Sequence, residues 1–298
     1  MYPSFLPATI AHLTEATSIE LAKQIQRQAI STPLRSAAIA TSLVQQGIGN
    51  PPILLLHGFD SSVFEFRRLQ PLLAANYVTW NLDLLGFGFT DRPVDVPFTP
   101  DSIKTHLYHT WKTLIDQPIV LIGASMGGAA AIDFALTYPE AVKQLILIDS
   151  AGFAAGPEIG KFLIPPLGYL ATEFLRRPGV RRRVSLQAYA DPSLVTADAE
   201  LCAALHLQLF GWQQALIAFT KSNGYNFLAT KIAQITQPTL IIWGDRDRIL
   251  GIADAEKFTA ALPHSQLVWV PNCGHVPHLE KPEITAAAIL AFIGSSSD

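Results

Sequence analysis

A serine at 125, an aspartate at 247 and a histidine at 275 are residue types that can pass a proton along a line, and they stand far apart in this chain. Ser125 lies in Gly123-Ala124-Ser125-Met126-Gly127-Gly128. This segment follows the apolar run Ile119-Val120-Leu121-Ile122 and precedes Ala129-Ala130-Ala131-Ile132-Asp133-Phe134, which takes up helical spacing. The pattern is strand, tight turn, helix. A serine in such a turn is forced into a strained backbone that lifts its hydroxyl above the sheet edge. Gly123 and Gly127 leave the chain room to fold back on itself.

A serine hydroxyl is a poor nucleophile near neutral pH. It needs a base within hydrogen-bond reach, and the base needs a group to fix its tautomer and offset its charge. Both follow in the chain, in the order serine, acid, histidine. The acid comes from Trp243-Gly244-Asp245-Arg246-Asp247-Arg248-Ile249. Asp247 is the choice because it lies beyond the strand end, whereas Asp245 directly follows the turn glycine and could cap the loop backbone. The competing reading pairs both acids with Arg246 and Arg248 on a solvated loop. Asp149, at the end of the strand after the serine turn, is a second candidate acid and a plausible turn former. The base comes from Pro271-Asn272-Cys273-Gly274-His275-Val276-Pro277-His278. His275, behind a turn glycine after the last strand, is preferred to His278, which sits closer to the next helix.

The elements that must carry these residues alternate. Ile53–Leu56 and Tyr77–Leu82 read as buried strands, and Ile39–Val44, Ile119–Ile122, Gln144–Ile148, Pro238–Gly244 and Gln266–Val270 as further strands. Helices are expected over Ser18–Ile30, along Phe64, Phe66, Leu69, Leu72 and Leu73, and over Asp101–Asp116, Ala253–Leu262 and Pro282–Ile293. Such alternation implies an α/β fold with a mostly parallel central sheet flanked by helices, its active groups gathered at the carboxyl ends of the strands. The strand that ends at His57-Gly58 meets a helix start, with Asp60, Ser61 or Ser62 as its cap. Backbone N–H groups there favour negative charge, which suits an oxyanion.

The alternation stops at residue 151. Residues 151–225 read as a helical cap, with Leu163, Leu167, Leu170, Phe174, Leu201, Leu205, Leu209 and Phe210 at helical spacing. Pro157, Pro165, Pro166, Pro178 and Pro192 break the helices. Residues 1–150 and 226–298 form the core. Arg176, Arg177, Arg181, Arg182 and Arg183 cluster in the cap near Phe162, Leu163, Ile164, Leu170 and Phe174. They could meet anionic headgroups or an acidic substrate, or form a solvated face.

A hydrophobic fraction of 49 % against 15 % charged residues allows a large core and argues against disorder. A net charge of −3 gives no attraction to nucleic acid, and Gly86-x-Gly88 lacks the third glycine of a dinucleotide fingerprint. Cys202 and Cys273 form neither a disulfide ladder nor a metal quartet and are expected as buried free thiols. Without a basic, apolar leader or a membrane-length apolar run, a soluble cytoplasmic protein is expected.

Together, five motifs resemble the ordered signature of the α/β-hydrolase superfamily. They are His57-Gly58, Asp83-x-x-Gly86-x-Gly88, Gly123-Ala124-Ser125-Met126-Gly127-Gly128, Trp243-Gly244-Asp245-Arg246-Asp247 and Gly274-His275-x-Pro277-x-x-Glu280-x-Pro282-Glu283. More narrowly the chain is similar to the capped esterase, epoxide-hydrolase and C–C-hydrolase branch. The resemblance implies Ser125 as nucleophile, Asp247 as acid, His275 as base, and the backbone N–H groups of Phe59 and Met126 as oxyanion hole. It also implies a small-molecule substrate and no metal or organic cofactor. A serine rather than an aspartate at the turn disfavours epoxide and haloalkane chemistry. Ester hydrolysis, hydrolysis of a C–C bond next to a ketone, and a small-molecule receptor that retains the three residues are the readings left open.

Overall fold

The computed structural model describes residues 1–153 and 167–295. Eight strands make its sheet: β1 (Gln26–Thr32), β2 (Arg35–Gln46), β3 (Ile53–Leu56), β4 (Thr79–Leu82), β5 (Ile119–Ala124), β6 (Val142–Ile148), β7 (Thr239–Gly244) and β8 (Ser265–Val270). Their spatial order is β1-β2-β4-β3-β5-β6-β7-β8. β1 pairs antiparallel with β2, and β2 with β4. Every pairing from β4 to β8 is parallel. This is the mostly parallel α/β sheet that the alternation implies.

Helices cover both faces: α1 (Ala16–Gln24), α2 (Gln70–Ala74), α3 (Pro100–Leu114) and α4 (Met126–Thr137) before the insertion, and α5 (Leu167–Arg176), α6 (Pro178–Ala188), α7 (Ala197–Cys202) and α8 (Trp212–Lys221) within it. After β7 come α9 (Ala253–Ala261), α10 (Pro277–Glu280) and α11 (Pro282–Ser295).

The interior strands β3, β5 and β7 are buried at every position, as strands covered on both faces must be. The two-residue period sorts their side chains. Leu54, Leu56 and Leu121 pack with Ile103, Leu107 and Trp111 of α3, while Ile53, Leu55, Val120 and Ile122 pack with Leu73 of α2 and Ile289 and Phe292 of α11. Each such side chain contributes roughly 1.5–3 kcal/mol on burial, so the sheet is closed from both sides. Helix α3 shows how local sequence fits this plan. Thr99 accepts the Ser102 N–H at 3.3 Å, Pro100 occupies the first turn, and one apolar stripe faces the sheet.

The expected helix over Ser18–Ile30 is corrected. It ends at Gln24, and residues 26–32 form β1, paired from Gln26 opposite Leu43 to Thr32 opposite Arg35. Buried Ile30 and Thr32 fit a period of two, and pairing with β2 overrides the helical spacing upstream. Nor does Thr17 or Ser18 cap α1. The Asp198 carboxylate, from α7, takes the Thr14 and Glu15 N–H groups at 2.5 and 2.9 Å and the Ser18 hydroxyl at 2.6 Å.

The helical insertion leaves after β6 and returns at β7. Pro178 starts α6, and Pro192 starts a short 3-10 turn. Pro157, Phe162, Leu163, Ile164, Pro165 and Pro166 lie outside the described residues. Cys202 and Cys273 are buried and free. Among the described residues, no helix is long and apolar enough to cross a membrane.

Candidate active site

Ser125 sits at φ 52°, ψ −118°, a conformation that non-glycine residues avoid at a cost of about 1–3 kcal/mol. The surrounding backbone holds it there. Its N–H donates to Ile148 O at 2.9 Å, and its carbonyl accepts from Gly128 and Ala151 N–H, both at 3.0 Å. A Cβ on Gly123 would overlap Gly127 O, and one on Gly127 would overlap Leu56 O, so only glycine lets the turn close against β3. The strained elbow read from the sequence is therefore present.

His275 Nδ1 lies 2.9 Å from Asp247 Oδ2, and both residues are buried. Asp247 Oδ1 accepts the N–H groups of Ile249 at 2.7 Å and Leu250 at 3.2 Å, which fixes the carboxylate. With the Nδ1 proton given to Asp247, Nε2 is left as the acceptor. Asp245 instead takes the Cys273 N–H at 3.2 Å, and Arg246 pairs with Asn272. Arg248 reaches Tyr189 O at 3.0 Å, so the ion-paired loop is not formed. His278 is turned away. It is buried against the Phe66 ring at 5.2 Å between centroids and lies 3.3 Å from Glu65.

Asp149 joins this pair. Polar atoms of Asp149, Asp247 and His275 all lie within 4.8 Å of one another, and Asp149 Oδ1 accepts the Gly244 N–H at 3.1 Å. Burial, and then the charge of Asp247, push the Asp149 acid well above the usual carboxylate range.

Ser125 and Asp149 leave neighbouring strand ends, since Ala124 of β5 is opposite Ile148 of β6. One strand spacing, about 4.8 Å, therefore separates the serine backbone from that of Asp149. Among the described residues, the Ser125 hydroxyl makes no hydrogen bond to His275. The acid–base half is closed and the hydroxyl half open, as is common without substrate.

The Phe59 and Met126 N–H groups have no acceptor among the described residues. Met126 is the first residue of α4, where the helix dipole favours an anion. A Cβ on Gly58 would come within 3.2 Å of the Ser125 Cβ, which brings the Phe59 peptide beside the serine. Gly58 N–H donates to Glu65 at 2.9 Å. Burial alone would raise the Glu65 acid, but His278 and His57 hold it down at about 2.

The other motif residues fasten loops. His57 donates from Nδ1 to Gly58 O at 2.8 Å and accepts the Leu84 N–H at 3.1 Å, and burial pushes it down to about 4. Asp83 accepts the Val63 and Phe89 N–H groups, both at 2.7 Å, and burial pushes it up to about 7. Gly274 allows His275 N–H to reach Ala188 O at 2.6 Å. Glu280 gathers the N–H groups of Gly274, Ala190 and Asp191 at 2.8, 3.0 and 2.8 Å.

Several residues at the site carried no local signal. Asp60 does not cap the helix that follows it, a role that falls to Ser62. It accepts from Arg181 at 2.5 Å and Trp212 at 2.8 Å, and lies 3.1 Å from His206 Nε2. Burial alone would raise its acid, yet His206 and Arg181 bring it to about 2. Arg181 thus leaves the exposed arginine cluster expected from the sequence. Helix α6 touches both sides of the site, through Arg181 at Asp60 and through Ala188 at His275. Phe59, Phe87 and Phe219 form an aromatic group with centroids 5.4–6.0 Å apart.

Residues 53–288 match the model described as "Alpha/beta hydrolase family". The chain is 34 % identical over 300 residues to the Alpha/beta hydrolase domain-containing protein VTE7 of Arabidopsis thaliana, covering 98 % of this chain and 90 % of that protein. It is 27 % identical to the 2-hydroxy-6-oxo-6-(2'-aminophenyl)hexa-2,4-dienoic acid hydrolase of Metapseudomonas resinovorans, covering 89 % and 91 %. The solved structure of a malate-bound thermophilic esterase from Thermogutta terrifontis superimposes with a TM-score of 0.75 at 25 % identity, covering 91 % of this chain and 98 % of that one.

Proposed function

Because the chain belongs to the alpha/beta hydrolase family, we propose that it cleaves a carboxylic ester, or a similar acyl bond, of a small apolar substrate. Ser125 is the nucleophile, His275 the base and Asp247 the acid. The observation that carries this reading is the 2.9 Å bond between His275 and Asp247, at the same strand edge as the strained serine.

Ser125 Oγ attacks the carbonyl carbon while His275 Nε2 takes its proton, and Asp247 offsets the imidazolium charge. The carbonyl oxygen becomes an oxyanion held by the Phe59 and Met126 N–H groups. Collapse expels the alcohol, which receives the proton from His275. Water, deprotonated by the same imidazole, then releases the acid and restores Ser125. Every step uses groups of the chain and water.

The Phe59, Phe87 and Phe219 rings beside the oxyanion position support an apolar substrate. Likeness to an esterase supports the ester. A second reading, hydrolysis of a C–C bond next to a ketone by the same residues, is favoured by the oxo-dienoic acid named for the Metapseudomonas relative. Turnover of p-nitrophenyl esters of increasing chain length, set against a 2-hydroxy-6-oxo-dienoate, separates the two. Ser125→Ala is expected to lower ester turnover at least about a thousand-fold without unfolding the protein. Full hydrolysis by that variant would overturn the proposal.

A further inference from the structure

Helix α5 is installed with its apolar face outward. Gly168 and Thr172 are its buried residues, seated on α8. A Cβ on Gly168 would lie 3.2 Å from Ile217, and Gln213 donates to the Thr172 hydroxyl at 3.2 Å. Leu167, Leu170 and Phe174, at the i, i+3 and i+7 positions of the opposite face, are 51 %, 63 % and 53 % exposed. Leu175 also packs on the core, but a helix that leaves two leucines and a phenylalanine together in solvent on its other side marks an interaction surface.

The charge around this face identifies what it meets. Segment 167–188 carries five arginines and one acid, Glu173, in a chain whose net charge is −3. Arg181 is spent on Asp60, and Arg182 pairs with Glu200. Arg176 lies 3.5 Å from Glu173, while Arg177 and Arg183 have no carboxylate partner among the described residues. The Arg177 guanidinium stands 5.8 Å over the Phe174 ring, so the cationic and apolar parts of the surface are continuous. Apolar side chains bordered by arginines with no carboxylate partner among the described residues fit the headgroup boundary of an anionic bilayer, where the first group inserts and the second meets phosphates. A symmetric pairing of two copies through this face would bring like-charged arginines together.

We propose that the outer face of α5, with the arginines of α6, docks this protein on anionic lipid membranes. The inference does not depend on the chemistry assigned to Ser125. It is compatible with that chemistry because α8, on which α5 is seated, contributes Phe219 to the Phe59 group, which puts the docking face on the insertion side of the site.

Vesicle flotation tests it without measuring turnover. The purified chain is expected to float with phosphatidylcholine vesicles containing phosphatidylglycerol and not with phosphatidylcholine alone, and high salt should weaken the binding. The exposed double variant Leu170→Ser/Phe174→Ser should bind at least about ten-fold more weakly, with unchanged thermal melting. Arg177→Gln/Arg183→Gln should also bind more weakly, whereas Ile48→Ser, at an 86 % exposed site elsewhere, should bind normally. The proposal is overturned if the wild type fails to float with anionic vesicles, or if Leu170→Ser/Phe174→Ser floats as well as wild type. It is also overturned if sedimentation velocity finds a dimer that the same variant dissolves, since the face would then belong to a second copy. None of these outcomes changes the ester assay, so the two readings fail separately.

Discussion

Helix α3 turns Ile103, Leu107 and Trp111 toward the sheet and leaves Asp101 and Lys112 in water. Helix α5 turns Gly168 and Thr172 inward and leaves Leu167, Leu170 and Phe174 exposed. The core is placed by apolar burial. The insertion joins that apolar core through Leu207, Leu216 and Phe219, and polar latches fasten it further: Asp60 to Arg181, His206 and Trp212, Glu280 to the loop after α6, and Asp198 to the start of α1. The proposed chemistry stands on the first region, and the proposed docking face on the second.

The largest effects are expected at the sheet edge, where the contrast between its two acids can be broken. Asp247→Asn should lower kcat/KM by about 10³–10⁴, because His275 would lose the partner that sets its tautomer. Asp149→Asn, which keeps the shape of a neutral acid, should cost less than about ten-fold. Steady-state kinetics of both variants checks this, and a reversed order would make Asp149 the acid.

Removal of a latch comes next. Asp60→Ala leaves Arg181, His206 and Trp212 without their shared acceptor and should cost about 3 kcal/mol in urea unfolding. The pH dependence has a defined sign. Asp60 titrates near 2 in the folded chain against an ordinary 3.8, so its contribution is present above about pH 4 and is lost as pH falls toward 2. Melting temperatures of Asp60→Asn should therefore fall less steeply than those of wild type across that window, a difference on the order of 2 kcal/mol.

Ser125 was legible because the signal for its turn is contiguous, an apolar strand, flanking glycines and an alanine-rich helix start, although Ile148 and Ala151 help to hold it. Asp247 and His275 were legible because each follows a strand and a turn glycine, and parallel strands deliver such residues to one edge even where, as in β8, the strand itself is only partly buried. Asp60 was not. Its partners lie 121, 146 and 152 residues along the chain, and an aspartate before Ser61-Ser62 reads locally as a cap. β1 was hidden for a related reason: only Ile30 and Thr32 carry its alternation, and the strand is fixed by pairing with β2. The reversed face of α5 was invisible because periodicity reports that a helix has an apolar stripe, not which way the stripe turns.

A pair of alanine variants, one of them with the smallest effect expected, sharpens the comparison of the two helices themselves. Leu107→Ala, on the buried stripe of α3, should destabilise by about 2–5 kcal/mol. Leu170→Ala, at the same residue type on the exposed stripe of α5, should stay within about 0.5 kcal/mol of wild type. Equal losses from the two in denaturant melts would mean that α5 is packed on its apolar side after all.

Whether Ser125 is an activated nucleophile can be read directly by treating the protein with a fluorophosphonate and mapping the adduct by peptide mass spectrometry. The account predicts a single phosphonylated residue, Ser125, with no adduct in Ser125→Ala and much slower labelling in His275→Ala. Undiminished labelling of Ser125→Ala, or no adduct on the wild-type chain, would contradict it.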